Sequence, residues 1–243
     1  MRWNRPIPPP AGDRINSLIE LNHQVREQTR RLVRQGRCFV FLSGDHSAAI
    51  GIWGGVMEAS AKSGRRLGLI WIDAHMDAHT SATSPSGNPH GMPVAALLGM
   101  RDPLLDKIRG DQPVMEADQI ILTGIHSYES VEKWHLDRLG VDYQLMTQIH
   151  RLGLQRALHQ SWRRLSAHCD AIGISIDLDA IDPRDIPGVA VPVPNGIRLK
   201  SLLTALSSLP VPVALEISEF NPFADRKLKT TQSIPKIVRA VFS

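Results

Sequence analysis

In the stretch GLIWIDAHMDAHT, residues 68–80, an apolar run is followed by Asp73, His75, Asp77 and His79 at every second position. Carboxylates and imidazoles are the side chains that ligate hard and borderline divalent cations. In extended backbone alternate side chains share a face, so Asp73, His75 and Asp77 can point at one site. Asp177 and Asp179 repeat the spacing after the run AIGISI, and His46 follows CFVFL within SGDHS. A solvated antiparallel strand would also alternate. Here, however, the runs that precede the motifs are apolar throughout, which argues against that reading. His46, Asp73, His75, Asp77, Asp177 and Asp179 supply four carboxylates and two imidazoles without a thiolate. Such a set suits Mn2+ better than a structural zinc, with Zn2+, Fe2+ and Co2+ left open. Four carboxylates suffice to hold two ions, which would generate a bridging hydroxide near neutral pH.

The elements that must position these residues are legible in the same way. Apolar runs at 38–42, 67–72, 119–125, 141–146, 171–176 and 211–217 alternate with helical patterns near 13–35, 47–63, 91–99, 128–139, 147–168 and 198–208. A last helix, TTQSIPKIVRAVF, closes the chain, with Pro235 expected in or before its first turn. Apolar strands separated by helices predict an α/β fold, a single-domain three-layer α/β/α arrangement around a mainly parallel sheet. With no internal repeat or linker, residues 1–243 read as one domain behind a Pro-rich leader over residues 1–12. Ligands of such sheets collect beyond the carboxyl ends of the strands, where these Asp and His residues stand.

Composition narrows the class. The chain has 243 residues, 42% hydrophobic and 21% charged, which is ordinary for a globular protein. No apolar run approaches the length of a membrane helix, and the N-terminus lacks the apolar region of a secretory signal. Cys38 and Cys169 lie far apart beside expected strands, so the cytoplasm is the expected compartment. The net charge of +4 is concentrated in Arg26–Arg37. That run reads as the solvated side of an amphipathic helix whose buried stripe includes Ile15, Leu18, Ile19, Asn22 and Val25. Without interleaved aromatics it does not read as a nucleic-acid surface.

Taken together, SGDHS, DAHMD, SGNPHGMP and SIDLDAIDP resemble the signature motifs of the ureohydrolases, the arginase and agmatinase family. The likeness runs from about Phe39 to Asn221, and TSPSGNPHGMP is closer to arginases than to agmatinases. The resemblance implies a binuclear Mn2+ hydrolase of a small guanidino substrate, most simply L-arginine to L-ornithine and urea, as a homo-oligomer of three or six chains. It implies that His46 and Asp77 bind one ion, His75 and Asp179 the other, and that Asp73 and Asp177 bridge them. Asp77 would pass a proton to the departing amine, His90 would shuttle protons, and Glu219 in SEFNP would pair with the guanidinium. A planar, fork-shaped cation asks independently for such a carboxylate. Ser84, Ser86, Asn88, His79 and Glu129 would meet the amino-acid end. A helix-starting glutamate at 129 is an equally good local reading.

The pattern also departs from the family. His79 stands where arginases often have an asparagine, and Ser43 replaces the first glycine of the usual GGDHS. SGDHS begins early, so the family's first strand is expected to be lacking and a sheet edge to be left short of a partner. Two other readings therefore stand beside arginase. One is a ureohydrolase of agmatine, guanidinobutyrate or formiminoglutamate; the other is a catalytically retired metal-binding scaffold.

Overall fold

The computed structural model describes residues 13–243, and the leader expected over residues 1–12 lies outside them. Asp13 caps α1 (Arg14–Arg34) by accepting the Ile15 and Asn16 N–H groups. Then follow β1 (Phe39–Leu42), α2 (Ala49–Lys62), β2 (Leu67–Ile72), α3 (Pro93–Leu97), α4 (Pro103–Arg109), β3 (Ile120–Ile125), α5 (Ser130–Leu139) and β4 (Asp142–Leu145). The rest comprises α6 (Met146–Leu152), α7 (Leu154–Ser166), β5 (Ala171–Asp177), α8 (Leu199–Leu206), β6 (Ala214–Ser218) and α9 (Lys229–Val241).

All six expected runs form strands of one sheet, ordered β1-β6-β5-β2-β3-β4, and every pairing is parallel. Side chains of β2 divide by parity. Leu67, Leu69 and Trp71 join the core shared with α1, α2 and α5, while Ile70 and Ile72 join the core shared with α6 to α9. A sheet covered on both faces has no polar side to show, which is why its strands lack alternation. β1 has β6 as its only partner among the described residues, and Leu42 at its end is 47% exposed.

Several expectations need correction. The helix expected over 147–168 is two, because Gly153 at φ 82° breaks it between α6 and α7. Pro235 lies inside α9, the seventh of its 13 residues, rather than at its start. The short α4 was not anticipated, although Asp102 caps it and Pro103 opens it, the usual start signals. The basic stripe of α1 turns partly inward: Arg26 and Arg30 both bind Glu58 of α2. The buried stripe runs through Asn22, Val25 and Thr29, and Ile15 is exposed.

α1 and α2 approach closely because α2 has glycines on the shared seam. A β-carbon at Gly51 would lie 2.3 Å from the Asn22 carbonyl, and one at Gly55 would lie 2.2 Å from Thr29 Oγ1. The Gly51 N–H, in the first turn of α2, is accepted by Asn22 Oδ1 at 2.6 Å, so one helix caps the other.

Candidate metal centre

The site lies beyond the carboxyl ends of β1, β2, β3, β5 and β6. Three of its turns share one local device. Asp45 accepts the Ser47 N–H, Asp73 the His75 N–H at 2.7 Å and Asp177 the Asp179 N–H at 2.8 Å. Each aspartate thus closes a tight turn two residues on, as Asx residues do. The convergence of Asp73, His75 and Asp77 therefore does not come from a continuing pleat, since β2 ends at Ile72 and Asp77 sits at φ 51°. The interleaved Ala74, Met76 and Ala78 are fully buried instead. Hydrogen bonds from Val94 N to Asp77 O and from His79 N to Gly91 O fasten this loop to the segment that carries His90.

Two groups of donors result. In the first, His46 Nδ1 is 3.3 Å from Asp73, 3.2 Å from Asp77 and 2.9 Å from Asp177. In the second, His75 Nδ1 is 3.6 Å from Asp73 and 3.2 Å from Asp179. Asp73 belongs to both groups. All four carboxylates and His46 are buried. Burial resists a charge on His46 and His75, but the surrounding carboxylates outweigh it, raising His46 well above its ordinary value and pushing His75 up to about 12. Burial, then the charge of Asp73, raises Asp77 strongly; burial, then Asp177 and Asp73, raises Asp179. Burial also opposes ionisation of Asp73, yet the two imidazoles hold it low.

These residues fit divalent cations. His46 Nδ1 and Asp179 Oδ1 are buried and lack a hydrogen-bond partner. Buried polar atoms are normally paired, so orphaned donors in both groups mark places where a cation completes the valence. The donor set of oxygens and imidazoles suits Mn2+ and its neighbours rather than a thiolate-bound zinc.

The remaining predicted residues surround the same cleft. Glu219, at φ 61°, accepts the His46 N–H at 2.7 Å through Oε1, and its own N–H donates to Gly44 O. Burial and then the charge of Asp177 push it up to about 7. His90 lines the cleft with Nδ1 3.8 Å from Asp45. On the opposite wall His79 is buried, its Nε2 3.0 Å from Glu129 and 3.5 Å from Glu132, and its Nδ1 3.2 Å from Thr83 Oγ1. Ser84 and Ser86 line the mouth, whereas Asn88 is exposed and does not line it.

Sequence reasoning passed over Glu132. It is 2% exposed, accepts the Ala78 and Glu129 N–H groups, and burial pushes it up to about 7. Its signal was available: Glu129-x-x-Glu132 forms a reciprocal capping box at the start of α5. Glu216, buried in β6 beneath His46, was also missed because it sits in the middle of an apolar run.

A parallel α/β sheet whose strand ends gather buried carboxylates and imidazoles into two groups with a shared member is the arrangement of a protein that binds divalent cations at its strand ends. The family model described as Arginase family matches residues 6–243, and the chain belongs to that family. It is 36% identical to the arginase of Bacillus caldovelox over 231 residues, covering 94% of this chain and 76% of that protein. The native structure of the Bacillus caldovelox arginase superposes with a TM-score of 0.89 at 33% identity, covering 100% of this chain and 81% of that one. The Entamoeba histolytica arginase, solved in complex with L-ornithine, gives 0.88 at 28% identity, covering 98% of this chain and 82% of the other.

Proposed function

We propose that the protein is a binuclear manganese arginase that hydrolyses L-arginine to L-ornithine and urea. The observation that carries this reading is the pair of donor groups sharing Asp73, with Glu219 held at the rim of the same cleft. The relatives named arginase support it, as does the L-ornithine held by the Entamoeba histolytica enzyme. His46 and Asp77 would hold one ion and His75 and Asp179 the other, with Asp73 and Asp177 shared between them. When bound, such ions supply Lewis-acid activation of water near neutral pH.

The chain's own groups do the rest. Glu219 has Oε1 committed to the His46 N–H, which leaves Oε2 to accept from the guanidinium and orient its carbon. The arriving cation favours the ionised form of a carboxyl poised at about 7. Asp77 takes the proton released as water attacks the guanidinium carbon and returns it to the departing amine nitrogen, so the C–N bond breaks to a neutral amine. His90, half-buried at the mouth, carries away the second proton of that water, which leaves as the product becomes neutral urea, to the amine or to solvent. Ser84 and Ser86 face the substrate carboxylate, and Glu129 with His79 faces its amino group.

The same reading takes residues 1–243 as one domain of a cytoplasmic homo-oligomer. Free thiols at Cys38 and Cys169 suit a reducing compartment. Among the described residues, no helix is long and apolar enough to cross a membrane.

The test is urea release from L-arginine, agmatine and guanidinobutyrate, and formamide release from formiminoglutamate, by protein reloaded with Mn2+, with Asp177→Ala as control. Arginine should be the best substrate and Asp177→Ala should release no urea. Faster turnover of another of these compounds would move the assignment within the family, and absence of any turnover with two ions bound would leave a metal-binding scaffold.

A further inference from the structure

Beneath His46 the sheet presents a single transverse row. Phe41, Glu216, Ser175 and Trp71 are successive register partners across β1, β6, β5 and β2. The His46 ring stacks on Trp71, with centroids 4.2 Å apart and planes 12° from parallel. Its Nε2 lies 3.1 Å from Ser175 Oγ, and Ser175 Oγ lies 2.9 Å from Glu216 Oε2. Trp53 Nε1 donates to that same Oε2 at 2.6 Å, and Ser43 Oγ donates to Oε1 at 3.0 Å. Glu216, Ser175 and Trp53 have no exposed surface. The arrangement also needs Gly173, because a β-carbon there would lie 2.2 Å from the Trp53 ring.

Donor and acceptor roles along this chain follow from elementary chemistry. An indole N–H can only donate, so Glu216 Oε2 is an acceptor. A proton on Oε2 would meet that N–H. The Ser175 hydroxyl must therefore spend its one proton on Oε2, which leaves its oxygen to accept from His46. A neutral His46 must then carry its proton on Nε2, which leaves Nδ1, facing Asp73, Asp77 and Asp177, as the atom a cation would meet.

We propose that Glu216 is a positioning residue of the metal centre: acting through Ser175, it keeps a proton on His46 Nε2 and presents Nδ1 as the lone pair that meets the cation. This rests on the reading of the two donor groups as a metal centre. A ligating imidazole whose other nitrogen is tied to an oriented acceptor has its tautomer and its ring plane fixed before the ion arrives. Stacking on Trp71 fixes the plane, and Glu216 fixes the proton. The serine at 43, where the family motif has glycine, is part of the device, since it occupies the second oxygen of Glu216.

The relay depends on an acceptor at Oε2 and not on charge, which gives it a distinctive test. Glu216→Gln must place its carbonyl oxygen at Oε2 to receive Trp53, so the proton order survives. Glu216→Leu and Ser175→Ala break it. The readout is nitrogen-15 NMR of histidine-labelled protein, metal-free and loaded with diamagnetic Zn2+, with His46 assigned by its loss in His46→Gln. A slowly exchanging His46 Nε2–H is expected in the wild type and in Glu216→Gln, and its protection is expected to be lost in Ser175→Ala and Glu216→Leu. Mn2+ titrations should show affinity weakened by about 10–100-fold in the last two and largely retained in Glu216→Gln. Ser175→Ala decides the matter should Glu216→Leu not fold. A wild-type His46 carrying its proton on Nδ1 with Nε2 bare, or an Nε2–H equally protected in Ser175→Ala, overturns the proposal. A wild type that binds no divalent ion would overturn the metal-centre reading instead, and the Nε2–H signal would still judge the relay.

Discussion

Asp77 and Glu219, from the loops after β2 and β6, are both held at positive φ, 51° and 61°. Left-handed backbone costs a residue with a β-carbon about 1–2 kcal/mol, and such strain collects where geometry serves function. For Glu219 the conformation turns Oε1 onto the His46 N–H and keeps the side chain at the rim of the cleft. Glu219→Gln keeps an acceptor for that N–H and removes the charge, so the variant should fold normally. A charge-assisted hydrogen bond lost to the guanidinium is worth about 1.5–3 kcal/mol. Steady-state urea assays should accordingly show kcat/KM for arginine reduced by about 10–150-fold, and an unchanged value would remove Glu219 from substrate binding. At this scale the donors were legible by type and spacing, because Asp and His have few reasons to crowd around apolar runs. The cause of the spacing was not legible. A two-residue period is common to the pleat and to the Asx turn, and only the hydrogen bonds within Asp73–His75 and Asp177–Asp179 tell them apart. Glu132 and Glu216 escaped for the opposite reason, since a glutamate in a first helical turn or within an apolar strand carries no periodic signal.

Among elements, the seam between α1 and α2 shows how a polar residue comes to stand in an apolar stripe. Asn22 is 1% exposed, accepts the Gly51 N–H and donates to Leu18 O at 3.0 Å. Asn22→Ala would leave a buried N–H unsatisfied, a loss of about 1–3 kcal/mol. Denaturant melts should register it as a lower midpoint with unchanged slope. On the flank of the same seam, burial alone would push the Glu58 carboxyl up. Hydrogen bonds from Lys62, Arg30 and Arg26 outweigh it and hold the group at about 2, below its ordinary 4.5. A carboxyl depressed on folding stabilises the protein fully above its unfolded value, and that contribution fades as pH falls through the folded one. The stability difference between wild type and Glu58→Gln should therefore be constant above about pH 5 and shrink between about pH 4.5 and 2. A difference that persists undiminished at pH 2 would refute the assignment. The two helices were evident from period; the capping of α2 by α1 was not, because it joins residues 29 apart in sequence.

For the molecule as a whole, four buried carboxylates at the ends of β2 and β5 repel one another unless cations or protons intervene. Ions that bind the folded chain and not the unfolded one add RT ln(1 + [L]/Kd) to its stability, about 2.7 kcal/mol at a hundredfold excess over Kd. Dialysis against a chelator should thus lower Tm by several degrees, and Mn2+ should restore it in the wild type but not in Asp177→Ala. Equal melting with and without the ion would count against the centre. Sheet order, unlike sheet existence, was not in the sequence, because the place of β2 between β5 and β3 depends on contacts far apart along the chain. That order is also what brings residues 46, 73–79, 177–179 and 219 to one crevice. The close seam of α1 with α2 sets a limit on dissecting the gene. A fragment starting at residue 37 would contain every donor named above, yet α2 would lose both its cap and the helix that lies against Gly51 and Gly55. His46 opens the 3-10 turn that runs straight into α2, so trimming the chain far from any motif would still unseat a ligand. A motif scan would pass such a fragment as complete, and the folded protein would not.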